Sequence, residues 1–133
     1  MLRVTLVLPG LVERISRLSG VCCVNAIVFS EVAYIHLREM SSASTEALKR
    51  NPMLVKSVDL SNVEDVLLSC IVLGEDAGVL RRAALLIREY GLLPNDALIL
   101  ATAGRYGCQV ATLDEYMKKV ASGIGLDVVE EAA

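Results

Sequence analysis

A short run of four apolar residues, Val21 to Val24, is followed at once by Asn25 and then by a long helical pattern from Ala26 to Met40. A wholly apolar run of this length is typical of a strand buried on both faces of a sheet. Asn25 is a residue type that favours the N-cap of a helix. Aromatic residues make up only 4% of a chain that is 54% hydrophobic, so aliphatic side chains must build the core. This mix favours parallel strands covered by helices on both faces.

The rest of the chain alternates in a similar way between strand-like and helical segments, and its 133 residues suit one domain, 1–133. We predict further strands at Arg3–Leu8 (or a loosely held arm), Val55–Leu60, Cys108–Thr112 and Leu126–Val129. We predict further helices at Leu11–Ser19, Thr45–Arg50, Ser61 to about Gly74 (opened by the capping box Ser61-x-x-Glu64), Ala77–Tyr90, Pro94–Tyr106 and Asp114–Ala121. This order predicts an α/β fold with a parallel sheet and right-handed crossovers.

Composition limits the function classes. The formal net charge of -3 gives no strongly basic field, so any RNA or DNA contact must come from a local basic patch. The four cysteines, Cys22, Cys23, Cys70 and Cys108, form no C-x-x-C pair, and the single histidine is His36; these spacings argue against zinc. We interpret the cysteines as buried free thiols of a cytoplasmic protein, with Cys22 and Cys23 on opposite faces of their strand. We predict no membrane span and no targeting signal.

Three carboxylates stand near the starts of predicted helices. Glu31 lies in the first two turns of a mostly apolar helix, Asp96 lies in the first turn after Pro94, and Asp114 follows a strand by two residues. Ligands bind at the carboxyl ends of parallel strands, so we predict that the three acids converge there, with Thr112 pointing to the same rim. Clustered carboxylates repel unless a cation neutralises them, and oxygen ligands suit Mg²⁺ or Mn²⁺. Such ions promote phosphodiester cleavage.

Each acid also has a simpler explanation. Glu31 is then a surface residue of an amphipathic helix, Asp96 is stabilised by the helix macrodipole, and Asp114 is an N-cap. The chain has no G-x-G-x-x-G after a strand, no phosphate-binding G-x-x-x-x-G-K-[ST] loop and no G-x-S-x-G elbow. These absences argue against the corresponding nucleotide-binding and serine-hydrolase classes.

The segment Glu89–Ala103, with Asp96-Ala97-Leu98-Ile99-Leu100-Ala101-Thr102-Ala103 at its end, resembles the central helix of PIN domains. Tyr106–Asp114 is similar to the strand that follows that helix in the family. Asn25–Ile35 resembles the segment that carries the family's acidic residue on its second helix, and Gly125–Val129 resembles the closing strand. PIN domains include the VapC-type toxins of toxin–antitoxin systems and related ribonucleases.

This resemblance implies a three-layer PIN-like sandwich in which Glu31, Asp96 and Asp114 are catalytic residues and ligands of Mg²⁺ or Mn²⁺. It adds Thr112 and Asn95 as supporting groups. The implied activity is metal-dependent endoribonuclease cleavage of RNA, the implied partner is a small antitoxin, and homodimers are common in the family. Among the basic residues, Lys118 and Lys119 are the best candidates for RNA contact, because they follow Asp114.

One position departs from the family. PIN domains carry another aspartate at the end of the first strand, whereas the only acid before Glu31 is Glu13, inside a predicted helix, and Arg3–Leu8 contains none. Either the true first strand is missing, through a downstream start or a truncation, or the chain is a divergent copy in which Arg3–Leu8 or a neighbouring chain replaces that strand in part. Three hypotheses stay open: an active metal-dependent ribonuclease, a catalytically weakened PIN-like domain that binds RNA or a partner, and an unrelated α/β scaffold whose acids are helix caps.

Overall fold

The computed structural model describes residues 21–129 and the backbone of residues 4–7. The helix predicted at Leu11–Ser19 lies outside these described residues. The elements run in the order β1 Val4–Val7, β2 Val21–Asn25, α1 Ala26–Ser41, α2 Thr45–Arg50, α3 Pro52–Ser57, α4 Ser61–Leu68, β3 Ile71–Leu73, α5 Ala77–Tyr90, α6 Pro94–Tyr106, β4 Gln109–Ala111 and α7 Glu115–Gly123.

The strands form one parallel sheet in the order β3-β2-β1-β4. Strand β1 is therefore central: Leu6 is in register with Cys23 of β2 on one side and with Val110 of β4 on the other. The segment predicted as the last strand adds a single parallel bridge, Val128 to Val110. Because all four strands run the same way, their carboxyl ends share one edge of the sheet.

Both faces of β2 are covered. Cys23 and Val24 point to opposite faces and are each buried. On one face Cys23 interacts with Cys108, which follows α6. Cys22 lies with its sulfur 2.7 Å from the Cys70 sulfur, just before β3. The predicted opposite orientation of Cys22 and Cys23 and the predicted layering of helices on both faces of a parallel sheet are therefore confirmed.

Local sequence signals explain most helix ends. The Oδ1 of Asn25 accepts a hydrogen bond from the Val28 N–H, 3.0 Å away, and so caps α1. Asp76 caps α5 in the same way through the Val79 N–H. Helix α5 ends at Gly91, whose φ of 68° is accessible to glycine at little cost. Pro94 occupies the first turn of α6, where a missing N–H is harmless.

Helix α6 forms the centre of the core. Its buried residues are Ala97, Ile99, Leu100, Ala101, Thr102 and Ala103. This near-continuous burial means that α6 is surrounded by other elements, with α5 as its main helical neighbour. The position of the acid in its first turn is therefore fixed by a rigid element.

The region between α2 and α5 differs from the sequence prediction. Val55–Leu60 is not a strand, because Pro52 starts helix α3, which continues to Ser57. The prediction of a Ser61-x-x-Glu64 capping box is also wrong. Asp59 Oδ1 accepts a hydrogen bond from the Ser61 N–H at 2.9 Å, and α4 has no side-chain cap. The helix ends at Leu68, well before Gly74. The apolar run that follows is β3, which pairs with β2 through long-range contacts that no local pattern shows.

No helix in the described part of the chain is long and apolar enough to cross a membrane.

Candidate metal centre

Asp96 and Asp114 are brought together at the rim of the sheet. Asp96 lies in the first turn of α6, and Asp114 is the N-cap of α7, just beyond β4. Partial burial raises the pKa of the Asp96 carboxyl above its usual value, and the neighbouring Asp114 carboxylate raises it further. The second cause requires the two negative charges to be close. Two neighbouring carboxylates therefore lie at the carboxyl end of a parallel strand.

The carboxylate of Asp114 has a fixed orientation. Its Oδ1 accepts the hydrogen bond of the Met117 N–H, 3.0 Å away, and Met117 itself is buried. The Asp114 N–H donates to Oγ1 of Thr112, also at 3.0 Å. Thr112 is 6% exposed. The threonine thus supports the acid through the backbone of the turn.

Glu31 is on α1, half-buried between the buried Val28 and Val32. Its side chain is therefore only partly accessible to solvent. Among the residues that the structure describes, no three histidine, cysteine or acidic side chains are close enough to hold a metal ion together. The structure therefore pairs Asp96 with Asp114 and does not gather Glu31 into a three-ligand group with them, so its role as a metal ligand stays a prediction.

The sheet order indicates where a further carboxylate would lie. Glu31 belongs to the helix after β2 and Asp114 follows β4, while β1 lies between those strands. Neighbouring strands are about 4.8 Å apart, so the ends of β2 and β4 are separated by about 10 Å. The middle position is the end of β1, where the family aspartate belongs. The sequence reads Val7-Leu8-Pro9-Gly10 there and offers no carboxylate.

Glu75 is another acid at this edge, two residues after β3. Its Oε1 is the only buried side-chain oxygen or nitrogen without a hydrogen-bond partner among the described residues. Strand β3 is three positions from β4 in the sheet, a distance of about 14 Å. Glu75 is therefore too far along the edge to share an ion with Asp114.

The remaining site candidates lie around the pair. Asn95 is exposed in the first turn of α6, next to Asp96. Lys118 is on α7 and pairs with Glu115 at 3.3 Å, which uses part of its charge locally. Lys119 is exposed on the same helix. The positions of Asn95 and Lys119 are thus compatible with the predicted roles. Lys118 would have to release the Glu115 carboxylate to contact an RNA phosphate.

Two contacts that hold the site were not visible in the sequence. Asn25 Nδ2 donates to Oγ1 of Thr102 at 3.1 Å, and both side chains are buried. The hydroxyl of Tyr116 donates to the backbone oxygen of Tyr90, linking α7 to the end of α5. Asn25 carried a capping signal, but neither long-range partner had any local signal.

The donor set fits a hard divalent ion. Mg²⁺ is held in proteins by one or two carboxylates with water completing its shell, and the Asp96–Asp114 pair supplies two. The mutual repulsion of the two carboxylates is a further reason for a cation to bind between them. The fold and this pair define a parallel α/β domain with an acidic centre at its strand ends.

The comparisons with known proteins agree with that class. The chain matches the PIN domain family over residues 9–123, and it belongs to that family. It is 29% identical to Ribonuclease VapC2 of Methanocaldococcus jannaschii over 111 residues, which are 83% of this chain and 74% of the relative.

Solved structures share the fold at low sequence identity. A toxin–antitoxin complex from Klebsiella pneumoniae has a chain that is 17% identical, with a TM-score of 0.62 and coverage of 94% of this chain and 96% of that one. FitAcB from Neisseria gonorrhoeae is 20% identical, with a TM-score of 0.55 and coverage of 95% and 96%. The predicted PIN-like α/β fold is thereby confirmed.

Proposed function

We propose that this chain is a metal-dependent endoribonuclease of the VapC type, the toxin of a toxin–antitoxin pair. The observation that carries the proposal is the Asp96–Asp114 carboxylate pair at the strand ends of a PIN-family chain. The 29% identity to a protein named Ribonuclease VapC2 supports the reaction class. We take Glu31, on α1, as the third acid that would hold the ion.

In this proposal Asp96 and Asp114 hold Mg²⁺ or Mn²⁺. A divalent ion in such a site supplies an activated water and stabilises the leaving oxygen of a phosphodiester. The partial burial of Asp96 strengthens its attraction for a cation, because fewer water molecules screen the charge. The hydrogen bond from the Met117 N–H to Oδ1 holds the Asp114 carboxylate in one orientation. The side chain therefore loses little conformational freedom when the ion binds. Thr112 keeps the Asp114 turn in shape, and Asn95 is a polar group beside the pair.

RNA phosphates would approach the sheet edge that carries Asp96 and Asp114 from the solvent side. Lys119 is exposed on α7, which begins at Asp114. Lys118 is one residue earlier and is paired with Glu115. A positive charge on this helix offsets the acidic pair for an approaching polyanion. We therefore propose that Lys119 makes the stronger phosphate contact and that Lys118 contributes after leaving Glu115.

The proposed partners are an antitoxin and a second copy of the chain. The antitoxin is supported by a structural neighbour from Klebsiella pneumoniae that is described as a toxin–antitoxin complex. A homodimer is supported by large apolar side chains left on the surface, among them Leu68, Leu93 and Met53. Light scattering of the purified chain tests the dimer, and a monomer at all concentrations would contradict it. The cytoplasmic location stays a prediction from the four free thiols.

Cleavage of a fluorogenic RNA tests the activity. We expect turnover with Mg²⁺ or Mn²⁺, none with a chelator, and a loss of more than about a hundredfold in Asp96→Asn, beyond what supporting residues usually contribute. Asp76→Asn is the matched control. It changes an aspartate at the start of the neighbouring helix α5, and asparagine caps a helix as well as aspartate does. Metal-independent cleavage, or equal loss in the two variants, would contradict the proposal.

A second candidate function is a PIN-like domain that binds RNA or a partner without cutting. It is favoured by the lack of a three-ligand group among the described residues and by the absence of an acid at the end of β1. Titration with Mn²⁺ in parallel with the RNA assay separates the candidates. Tight binding of Mn²⁺ and of RNA without turnover supports the second function.

A further inference from the structure

The start of α7, which follows Asp114, is connected to the end of α5 by a tyrosine hydroxyl. The Tyr116 hydroxyl, on the first turn of α7, donates a hydrogen bond to the backbone oxygen of Tyr90, the last residue of α5. The last carbonyls of a helix have no donor within the helix. The tyrosine therefore satisfies a group that the fold leaves open, and it does so across two elements that are 26 residues apart in sequence.

This bond closes a short ring around the acidic pair. Asp114 is two residues before Tyr116, and Asp96 is six residues after Tyr90. The connection from Tyr90 to Asp96 is stiff, because Leu92 is buried and because the Ala97 N–H bonds to the Leu93 oxygen at 3.0 Å. The Asp114 end is fixed by its bond to Met117. The tyrosine contact thus links the start of α7 to the segment that leads into α6.

The same contact opposes an electrostatic force. The carboxylates of Asp96 and Asp114 repel, which favours movement of the α7 start away from α6. A hydrogen bond between α7 and the segment that leads into α6 resists that movement. It thereby limits the movement of the two acids away from each other before any ion has bound.

We propose that Tyr116 is a positioning residue that sets the spacing of Asp96 and Asp114 for a divalent cation. This inference rests on the proposed function, because it assumes that the pair binds a cation. It assigns to Tyr116 a role in metal affinity that passes through the backbone of α5 and does not need contact with the ion.

The test compares two tyrosine variants. Tyr116→Phe removes the hydroxyl and keeps the ring, and Tyr116 is about half exposed, so the fold is retained. Tyr106→Phe is the matched control, because the Tyr106 hydroxyl also donates to a backbone oxygen, that of Gly74 at 2.8 Å, near the other end of α6. Isothermal titration with MnCl₂ gives the Kd of each protein without RNA, and thermal unfolding with a chelator gives each Tm.

We expect Tyr116→Phe to weaken Mn²⁺ binding about two- to tenfold, the range that one hydrogen bond supplies, and Tyr106→Phe to leave the Kd at the wild-type value. The two variants should lower Tm by similar amounts, which separates positioning from general stability. In RNA cleavage at subsaturating Mn²⁺, Tyr116→Phe should lower kcat with KM for RNA unchanged.

The outcomes separate the two proposals. Equal Mn²⁺ affinity of wild type and Tyr116→Phe, or equal weakening in both tyrosine variants, overturns the role of Tyr116 and leaves the proposed function intact. A wild-type chain that binds no Mn²⁺ overturns the proposed function and the inference with it.

Discussion

The buried side chains of Asn25 and Thr102 are joined by a hydrogen bond of 3.1 Å that spans 77 residues of sequence. Asn25 ends β2 and caps α1, the helix of Glu31, while Thr102 is in α6, the helix of Asp96. The Thr102 hydroxyl also donates to the Leu98 oxygen at 2.7 Å. The contact therefore connects the helix of one predicted catalytic acid to the helix of another, inside the core.

Thr102→Val should destabilise the protein by about 1–3 kcal/mol, because it leaves the buried amide of Asn25 without its acceptor. Thr102→Ser is the control, since it keeps the hydroxyl and loses one methyl group, at a cost of about 1 kcal/mol. Urea unfolding followed by circular dichroism measures both. A valine variant that is more stable than the serine variant would show that the hydrogen bond between Asn25 and Thr102 contributes little to the free energy of unfolding.

Substitutions of Asp114 should separate its structural role from its chemical one. Asparagine still caps α7 through the Met117 N–H, so Asp114→Asn should unfold within about 0.5 kcal/mol of wild type. Asp114→Ala loses the cap and should cost about 0.5–2 kcal/mol. Both should lose Mn²⁺ affinity, because both remove the charge. Retention of wild-type affinity by the asparagine variant would contradict the assignment of Asp114 as a ligand.

Asp76 should make stability depend on pH at the acidic end. Hydrogen bonds from the Val79 N–H and from Arg105, 3.1 Å away, hold the pKa of this carboxyl below its usual value. A lowered folded-state pKa gives stability that is fully present above the unfolded pKa of about 3.9 and is lost as pH falls through the folded value. Asp76→Asn should therefore lower Tm at pH 6 and converge with wild type near pH 2.5. A difference in Tm that does not change with pH would contradict this.

The cysteine thiols should react slowly in the folded protein. Burial raises the pKa of the Cys108 thiol to about 11, and it raises that of Cys22 well above its usual range. At pH 7.5 a pKa of 11 leaves on the order of one thiolate in several thousand, so alkylation is slow. We expect iodoacetamide to label Cys108 about a hundredfold more slowly in the native protein than in denaturant, by mass spectrometry of peptides. Equal rates would mean that the site opens readily.

Sequence reasoning succeeded where a residue acts on its immediate neighbours. Asn25 and Asp76 accept hydrogen bonds three residues ahead, Gly91 takes a positive φ, and Pro94 starts a helix. These are local events, so α1, α2, α5 and α6 were predicted closely. The strand β3 was missed because Ile71–Leu73 is too short to show a period, and only its pairing with β2 makes it a strand.

The sequence by itself determined the parallel α/β class, the helix starts at which Asp96 and Asp114 lie, and the absence of an acid in Arg3–Leu8. Residue type, period and capping chemistry are sufficient for these, because each depends on groups a few residues apart. Only the tertiary structure decided that Asp96 and Asp114 interact while Glu31 forms no three-ligand group with them. That outcome depends on packing between elements that are far apart in the sequence, which no local pattern of residues specifies.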